Sequence, residues 1–279
     1  MREIHVNDIT QAVADLCIKA CIVVAPDIRA HMECIVNEET GVAQQVLRNM
    51  LENQDIAMQR KMPICQDTGM AVVFLEIGQD ARIVGGNLAD AVHEGVRRGY
   101  EEGYLRKSVV ADPINRINTK DNTPAVIHYD IVVGDGVKIT VCPKGFGSEN
   151  MSRLKMLVPA DGITAVEDFV LETVKLADSN ACPPIIVGVG VGGTFDYAAN
   201  MAKRALVRKI GSRHEDKYWA DIEVRLLEKI NATGIGPSGF GGRATAMAVH
   251  INTYATHIAG LPVAVNIGCH VNRHEEMML

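Results

Sequence analysis

A hydrophobic, glycine-rich stretch in the second half of the chain constrains the fold most strongly. It runs from Cys182 to Ala205 and reads CPPIIVGVGVGGTFDYAANMAKRA. The β-branched run, the glycines after it and the helix-forming segment predict a buried strand at 184–191 and a helix near 196–209. Glycines at such a passage let a strand and a helix pack closely together. We therefore expect this stretch to lie in the interior of a mixed α/β protein.

The same glycines, from Gly188 to Gly193, also satisfy G-x-G-x-x-G, the fingerprint of dinucleotide-binding domains. That fold needs a second inner strand ending in an acid about 20 residues later, to hold the ribose. Here the candidate strand, residues 205–210, is short and charged, and only 86 residues follow Gly193. The sequence therefore favours a packing role for the glycines over a nucleotide site.

Composition excludes several classes of protein. The 279 residues are 47% hydrophobic and 22% charged, which is ordinary for a globular protein. The net charge of -6 argues against a general nucleic-acid binder, because phosphate affinity comes from clustered lysine and arginine. The N-terminus lacks the features of a signal peptide, and no uncharged run approaches ~20 residues. We expect a cytoplasmic protein without nucleic-acid or membrane partners.

The periodicity along the chain predicts helices and strands in mixed order. Helices are expected within the first 55 residues, including Ile28–Leu51, and again after an N-cap at Asn87 and at 216–230. Strands are expected at 70–77 and just before Cys269, and residues 125–143 alternate around a Gly134–Gly136 turn as a hairpin does.

These elements predict an α+β (mixed α/β) fold in which helices flank sheets that contain antiparallel hairpins. Thr164 and Glu167 have the spacing of a capping box for one of the helices. The chain shows neither an internal repeat nor an obvious linker, so we expect a single domain over residues 1–279.

The seven cysteines do not form the pattern of a disulfide framework or a zinc ribbon, because their number is odd and no C-x-x-C pair occurs. Cys65, Cys182 and Cys269 stand where a regular element meets a turn, and such side chains can project into a cleft. Three thiolates could hold three corners of a four-iron cluster and leave one iron open as a Lewis acid. Three core thiols are the alternative, and Cys142 has a similar position before a proline.

Five segments, in order and across nearly the whole chain, resemble the class I fumarate hydratases and the related tartrate dehydratases. They are CQDTGMAVVFLEIG, KGFGSENMSRLKM, CPPIIVGVGVGGTFDYAANMAKRAL, GIGPSG and the ending H…GLPVAVNIGC. The chain is most similar to the alpha subunit of a two-subunit enzyme, equivalent to the N-terminal domain of the fused forms. The resemblance implies that domain's fold and a 4Fe–4S cluster on Cys65, Cys182 and Cys269, with one open iron site.

The resemblance also implies an activity, the reversible hydration of fumarate to (S)-malate. In this family the catalytic base lies in the C-terminal region or the beta subunit, so the chain should be active only with a partner. The resemblance implies that this partner is a beta subunit of about 200 residues and that the enzyme is a hetero-oligomer.

The resemblance assigns roles to further residues by position. Asp67 and His257 correspond to catalytic residues, and His257 lies twelve residues before Cys269. The residues expected to contact the dicarboxylate substrate are Gln66, Asp67, Arg106, Gly147 and His257. A guanidinium fork suits a carboxylate, and Gly147 would offer backbone N–H groups from the Gly145–Gly147 loop. Phe146 interrupts the more glycine-rich run that the family carries in this loop.

Two other functions remain as alternatives. An L-tartrate dehydratase alpha subunit would share the fold, and its substrate differs by one hydroxyl; the segments PICQDTGMAVVFLEIG and GIGPSGFGG favour the fumarate form. A non-catalytic iron–sulfur sensor or regulatory protein would use the same cysteines without turnover.

Overall fold

A computed structural model describes residues 2–279. In chain order the elements are β1 (Arg2–His5), α1 (Val6–Ile22), α2 (Pro26–Ile35), α3 (Gly41–Arg60), β2 (Met70–Gly78), β3 (Ala81–Val84), α4 (Leu88–Glu102), β4 (Val126–Val132), β5 (Val137–Lys144), α5 (Phe146–Glu149), β6 (Arg153–Leu157), α6 (Gly162–Ala177), β7 (Ile185–Gly192), α7 (Phe195–Ala205), α8 (Lys217–Asn231), β8 (Ala246–Tyr254), β9 (Leu261–Gly268) and β10 (Glu275–Met278). The predicted mixed α/β class is confirmed.

The chain divides into two compact units, each built from separate stretches of sequence. The first unit contains residues 2–25, Asn53–Phe146 and Arg273–Leu279, and the second contains Pro26–Glu52 and Gly147–Asn272. Because the two units interleave along the chain, no single cut in the sequence separates them. One domain over residues 1–279 stays a prediction.

In the first unit, α1 and α4 pack face to face and cover a four-stranded sheet of order β10-β5-β2-β4. The helices approach closely because α4 carries Gly95 and Gly99 where α1 passes: a Cβ on Gly95 would lie 2.6 Å from the Thr10 carbonyl oxygen. Cys17 and Cys21 lie in this core.

By length and composition alone the stretch Val6–Ile35 could cross a membrane. A buried core helix meets the same criterion, and 56% of the apolar window of this stretch is buried within the protein. The apolar face of α1 is directed into the core of the first unit, where Ile9, Val13 and Leu16 are buried.

The predicted hairpin over residues 125–143 is wrong, because β4 and β5 do not pair with each other. Strand β2 lies between them, parallel to β4 and antiparallel to β5. The Gly134–Gly136 turn passes over the end of β2, and a Cβ on Gly78 would lie 2.4 Å from the Gly134 carbonyl oxygen. The almost continuous apolar run of β2 takes the central position, since both of its faces can be buried.

The second unit is built around a sheet of order β6-β9-β7-β8 in which every residue of β7 is buried. Successive side chains of a strand point to opposite faces. The valines of β7 pack into the core with α6 and α8, whereas Gly188 and Gly190 face α7. A Cβ on Gly190 would lie 2.1 Å from the Ala198 carbonyl oxygen, so the predicted packing role of the glycines is confirmed.

The predicted capping box of Thr164 and Glu167 is also wrong. Helix α6 already begins at Gly162, which places both residues inside it. The Glu167 carboxylate is buried and accepts hydrogen bonds from Arg225 and from Lys229, the latter at 2.6 Å, both on α8. A carboxylate that is removed from water needs such cationic partners, and they are supplied by a distant part of the chain.

His250 on β8 is a fully buried titratable group in the second unit. Its Nδ1 lies 3.1 Å from the Ala205 carbonyl oxygen, and its Nε2 has no hydrogen-bond partner. Burial, helped by the nearby positive charge of Arg208, lowers the pKa of His250 to about 4. The ring is therefore neutral in the folded protein at neutral pH.

We expect His250 to make folding stability depend on pH. The ordinary histidine pKa of 6.5 lies above the folded value, so the unfolded chain binds the extra proton first as the pH falls. The contribution is complete above pH 6.5 and is lost towards pH 4, a change of about 3 kcal/mol in the free energy of unfolding. Urea unfolding between these pH values should show a smaller pH slope for His250→Gln than for the wild type. Equal slopes would contradict the assignment.

Candidate functional site

The turn Cys65–Gly69, between α3 and β2, is anchored by buried polar side chains of the first unit. The Tyr100 hydroxyl donates to the carbonyl oxygens of Thr68 at 2.7 Å and Gly69 at 3.1 Å. Burial raises the pKa of Tyr100 well above its usual range, which keeps the hydroxyl a donor. The side-chain amide of Asn122, itself fully buried, donates to the Gly69 carbonyl at 3.2 Å. The turn is therefore held from inside by hydrogen bonds, and the side chains of Cys65, Gln66 and Asp67 remain at least partly exposed.

Asp67 has a fixed orientation within this turn. Its Oδ1 accepts from the Gly69 N–H at 3.0 Å, and its Oδ2 accepts from the Phe146 N–H at 2.8 Å. Hydrogen bonds from backbone N–H groups to a charged acceptor are short and strong. Beside it the Cys65 thiol lies 3.3 Å from the Gln66 amide oxygen and is half-buried.

The segment that contains Arg106 lies beside the same turn. The Thr68 hydroxyl donates to the Arg106 carbonyl oxygen at 3.1 Å, and the Asn122 amide oxygen accepts from the Ser108 N–H at 2.7 Å. The Arg106 side chain itself is exposed. The first unit thus brings together Cys65, Gln66, Asp67 and Arg106, four of the predicted site residues.

In the second unit, Cys182 and Cys269 lie at one end of the sheet, beyond the ends of its two central strands. Cys182 precedes β7 and Cys269 follows β9; the two strands are antiparallel, with Ile186 opposite Gly268. The His270 N–H donates to the Cys182 carbonyl oxygen at 3.2 Å, which joins the two loops. Cys182 is exposed, with a left-handed backbone (φ 53°), and Cys269 is half-buried.

Gly147 belongs to the same end of the second unit. A Cβ on Gly147 would lie 3.6 Å from the carbonyl oxygen of Asn180, two residues before Cys182. Both Gly147 and Glu149 belong to the short helix α5, which is held in place by the Glu149 carboxylate: it accepts from Lys203 at 2.5 Å and from the Asn266 amide at 2.8 Å. Three of the predicted residues therefore lie at the same end of this sheet: Gly147, Cys182 and Cys269.

His257 lies at the opposite end of this sheet. It follows β8, which runs parallel to β7 and ends with Tyr254 opposite Gly192. The eight residues of β7 therefore separate it from Cys182 by roughly 25 Å. A pocket of about 390 Å³ surrounds it there, with Tyr218 and Trp219. The structure therefore does not bring His257 next to Cys182 within the second unit, and the role of His257 stays a prediction.

The chemistry of the thiols fits an iron–sulfur group. None of the seven cysteines forms a disulfide, and Cys65, Cys182 and Cys269 are all accessible, whereas Cys142 is buried. Solvent exposure therefore distinguishes Cys142 from the three candidate ligands, although its position in the sequence resembles theirs. Within residues 2–279 no three His, Cys, Asp or Glu side chains are grouped to hold a single metal ion. Thiolates are the ligands that iron–sulfur clusters prefer. Magnesium and calcium prefer carboxylate oxygens instead, so three cysteines favour an iron–sulfur cluster.

Together these features define a mixed α/β protein with accessible thiols at strand ends, an oriented carboxylate and a nearby arginine. The sequence model of a protein family described as Fumarate hydratase (Fumerase) matches residues 10–278. The chain therefore belongs to the fumarate hydratase family, whose members are hydro-lyases.

Two similar proteins are named as alpha subunits of L(+)-tartrate dehydratase. The chain is 43% identical over 274 residues to the Putative L(+)-tartrate dehydratase subunit alpha of Methanocaldococcus jannaschii, covering 95% of both proteins. It is 32% identical to the L(+)-tartrate dehydratase subunit alpha of Escherichia coli O157:H7, covering 98% of this chain and 91% of that protein. The similarity to both relatives extends over almost the whole chain.

Proposed function

We propose that this chain is the alpha subunit of an iron–sulfur hydro-lyase that interconverts fumarate and (S)-malate and is completed by a beta subunit. The observation that carries the proposal is the pairing of accessible Cys182 and Cys269 at one end of the sheet, in a chain of the fumarate hydratase family. The subunit names of the relatives support the need for a partner.

In the proposed enzyme, Cys65, Cys182 and Cys269 hold a 4Fe–4S cluster. When bound, such a cluster supplies an iron with an open position that polarises a substrate oxygen. The loops that carry Cys182 and Cys269 are joined by the backbone hydrogen bond from His270 to Cys182, so the two residues are held at the same end of the sheet. Cys65 is carried by the turn that Tyr100 and Asn122 support, so its position does not depend on the cluster alone.

The polar residues of the first unit would bind and orient the dicarboxylate. The exposed guanidinium of Arg106 has the planar donor fork that matches a carboxylate. Gln66 is exposed beside Cys65 and can donate through its amide. Asp67, held by two N–H groups, would orient the hydroxyl that is added or removed. The proton next to the other carboxylate is left to the base of the beta subunit.

The second candidate is an L(+)-tartrate dehydratase alpha subunit, and the names of the relatives favour it. Tartrate carries one hydroxyl more than malate. A site that hydrogen-bonds this group discriminates strongly against a substrate that lacks it. The groups that would recognise it are shared with the beta subunit, so a substrate assay of the complete enzyme decides between the two.

We expect hydratase activity only from the complex. The chain should be produced anaerobically with and without a candidate beta subunit, the cluster reconstituted, and turnover of fumarate, (S)-malate and both tartrate enantiomers measured. The complex should turn over fumarate and (S)-malate, and the isolated chain should be at least about 10³-fold slower, because it lacks the base.

The outcomes separate the candidates. Turnover of L(+)-tartrate alone would replace the fumarate proposal with the second candidate. Enzyme-like activity of the isolated chain would refute the need for a partner. A cluster-bearing complex that turns over neither fumarate nor tartrate would favour a sensor or regulatory protein.

A further inference from the structure

Arg273 is a buried cation in the first unit that neither the resemblance nor the proposed function assigns. It begins the last stretch of that unit, four residues after Cys269 in the sequence, and only 7% of it is exposed. Its Nε donates to the Pro143 carbonyl oxygen at 3.3 Å. Removing a guanidinium from water is costly unless other groups offset the cost, so a buried arginine has defined partners.

Arg273 and Asp67 converge on one point beside Gly145. A Cβ on Gly145 would lie 3.0 Å from Arg273 Nη2 and 3.1 Å from Asp67 Oδ2. The two atoms are therefore within roughly 6 Å of each other, a range in which opposite charges stabilise one another. Glycine at position 145 leaves the space in which both side chains approach.

The charges of Arg273, Cys65 and Asp67 all influence one buried thiol, that of Cys21. Burial raises the pKa of the Cys21 thiol to about 12; the positive charge of Arg273 opposes this shift, and the charges of Cys65 and Asp67 add to it. One cation and two site residues thus influence a single buried thiol. This agrees with the convergence seen at Gly145.

We propose that Arg273 is a positioning residue that fixes the Asp67 carboxylate and the turn from Pro143 to Phe146 in the orientation used for catalysis. The inference rests on the role proposed for Asp67. The backbone N–H groups of Gly69 and Phe146 set the position of the two carboxylate oxygens, and Arg273 supplies the charge on the side of Gly145. Its hydrogen bond to the Pro143 carbonyl stabilises the end of β5, and the Phe146 N–H that donates to Asp67 follows shortly after this strand.

Amide hydrogen exchange in the chain without cluster or partner tests this arrangement independently of turnover. Arg273→Gln should speed exchange of the Phe146 amide by about tenfold or more, because the opening of its hydrogen bond to Asp67 becomes easier. Arg273→Lys, which keeps the charge, should restore part of the protection. Arg98→Gln removes an exposed arginine paired with Glu94 in the same unit and should change nothing. Unchanged protection in Arg273→Gln would overturn the proposal.

Kinetics of the complete complex then separate positioning from general stability. Arg273→Gln should lower kcat about 10–100-fold, the range found for residues that orient a site, with a smaller change in KM. In the Asp67→Asn background the same substitution should cost almost nothing further, since the two side chains act as a unit.

Additive losses in the double variant, or a loss that follows the thermal unfolding midpoint alone, would show a structural role and overturn the proposal. If the wild-type complex turns over no dicarboxylate, the proposed function fails. The exchange data would still decide whether Arg273 holds Asp67.

Discussion

Serine in place of Cys182 should remove the iron–sulfur chromophore and, with it, the hydro-lyase activity of the complex. A hydroxyl is a poor substitute for a thiolate ligand, and a cluster held by three thiolates then loses one of its corners. Removing a Lewis acid worth several kcal/mol should lower kcat by roughly 10³-fold or more. Visible absorbance, iron content and turnover, measured after anaerobic reconstitution, check the result.

The fold around Cys182 should survive this substitution, so that the loss reports on the ligand. The loop is held by backbone hydrogen bonds, from the Cys182 N–H to the Ser179 carbonyl and from the His270 N–H to the Cys182 carbonyl, both of which serine preserves. Cys34→Ser is the matched control, because Cys34 is an exposed cysteine of the same unit, on α2. Full iron content in Cys182→Ser would remove this residue from the ligand set. Cys65→Ser and Cys269→Ser extend the test to the other two cysteines.

Local patterns predicted individual strands and helices, because the periodicity that marks such an element is carried by its own residues. The strand predicted at 184–191 is β7, Ile185–Gly192, and the helix predicted at 216–230 is α8, Lys217–Asn231. The hairpin failed because pairing is decided by the whole sheet. The Gly134–Gly136 turn has the expected composition, but β2, whose Val72 pairs with Val126 of β4, lies between the two strands that the turn joins.

The candidate site was predictable to the extent that short motifs encode it. Cys65, Gln66 and Asp67 form one turn, and antiparallel pairing of β7 with β9 brings the loops of Cys182 and Cys269 together. Sequence reasoning missed Tyr100 and Asn122, which hydrogen-bond to the turn from sequence separations of 31 residues or more, and Arg273, which approaches Asp67 beside Gly145. Each has an unremarkable local context, a helix end, a loop and the chain terminus, so only burial and hydrogen bonding identify it.

The close packing of α7 on β7 gives the second large expected effect. Gly190→Ala should destabilise the protein by about 3 kcal/mol or more, at the upper end of the cost of overpacking. Its Cβ would lie 2.1 Å from the Ala198 carbonyl oxygen and 2.9 Å from the Ala202 backbone nitrogen. Both atoms belong to the backbone of α7, so no side-chain rotation relieves the clash and the helix must move away from the sheet.

That displacement should also reach the site, because α7 carries Lys203, which pairs with Glu149 at the end of α5, the short helix beside the Cys182 segment. Urea unfolding of Gly190→Ala should therefore show a lower free energy of unfolding, and the cluster should be lost at a lower temperature. Gly260→Ala is the matched control, since its Cβ would meet nothing closer than 3.8 Å, and it should stay within about 0.5 kcal/mol of the wild type. If both variants unfold like the wild type, the glycines of β7 tolerate a side chain, and close packing does not explain why this strand carries them.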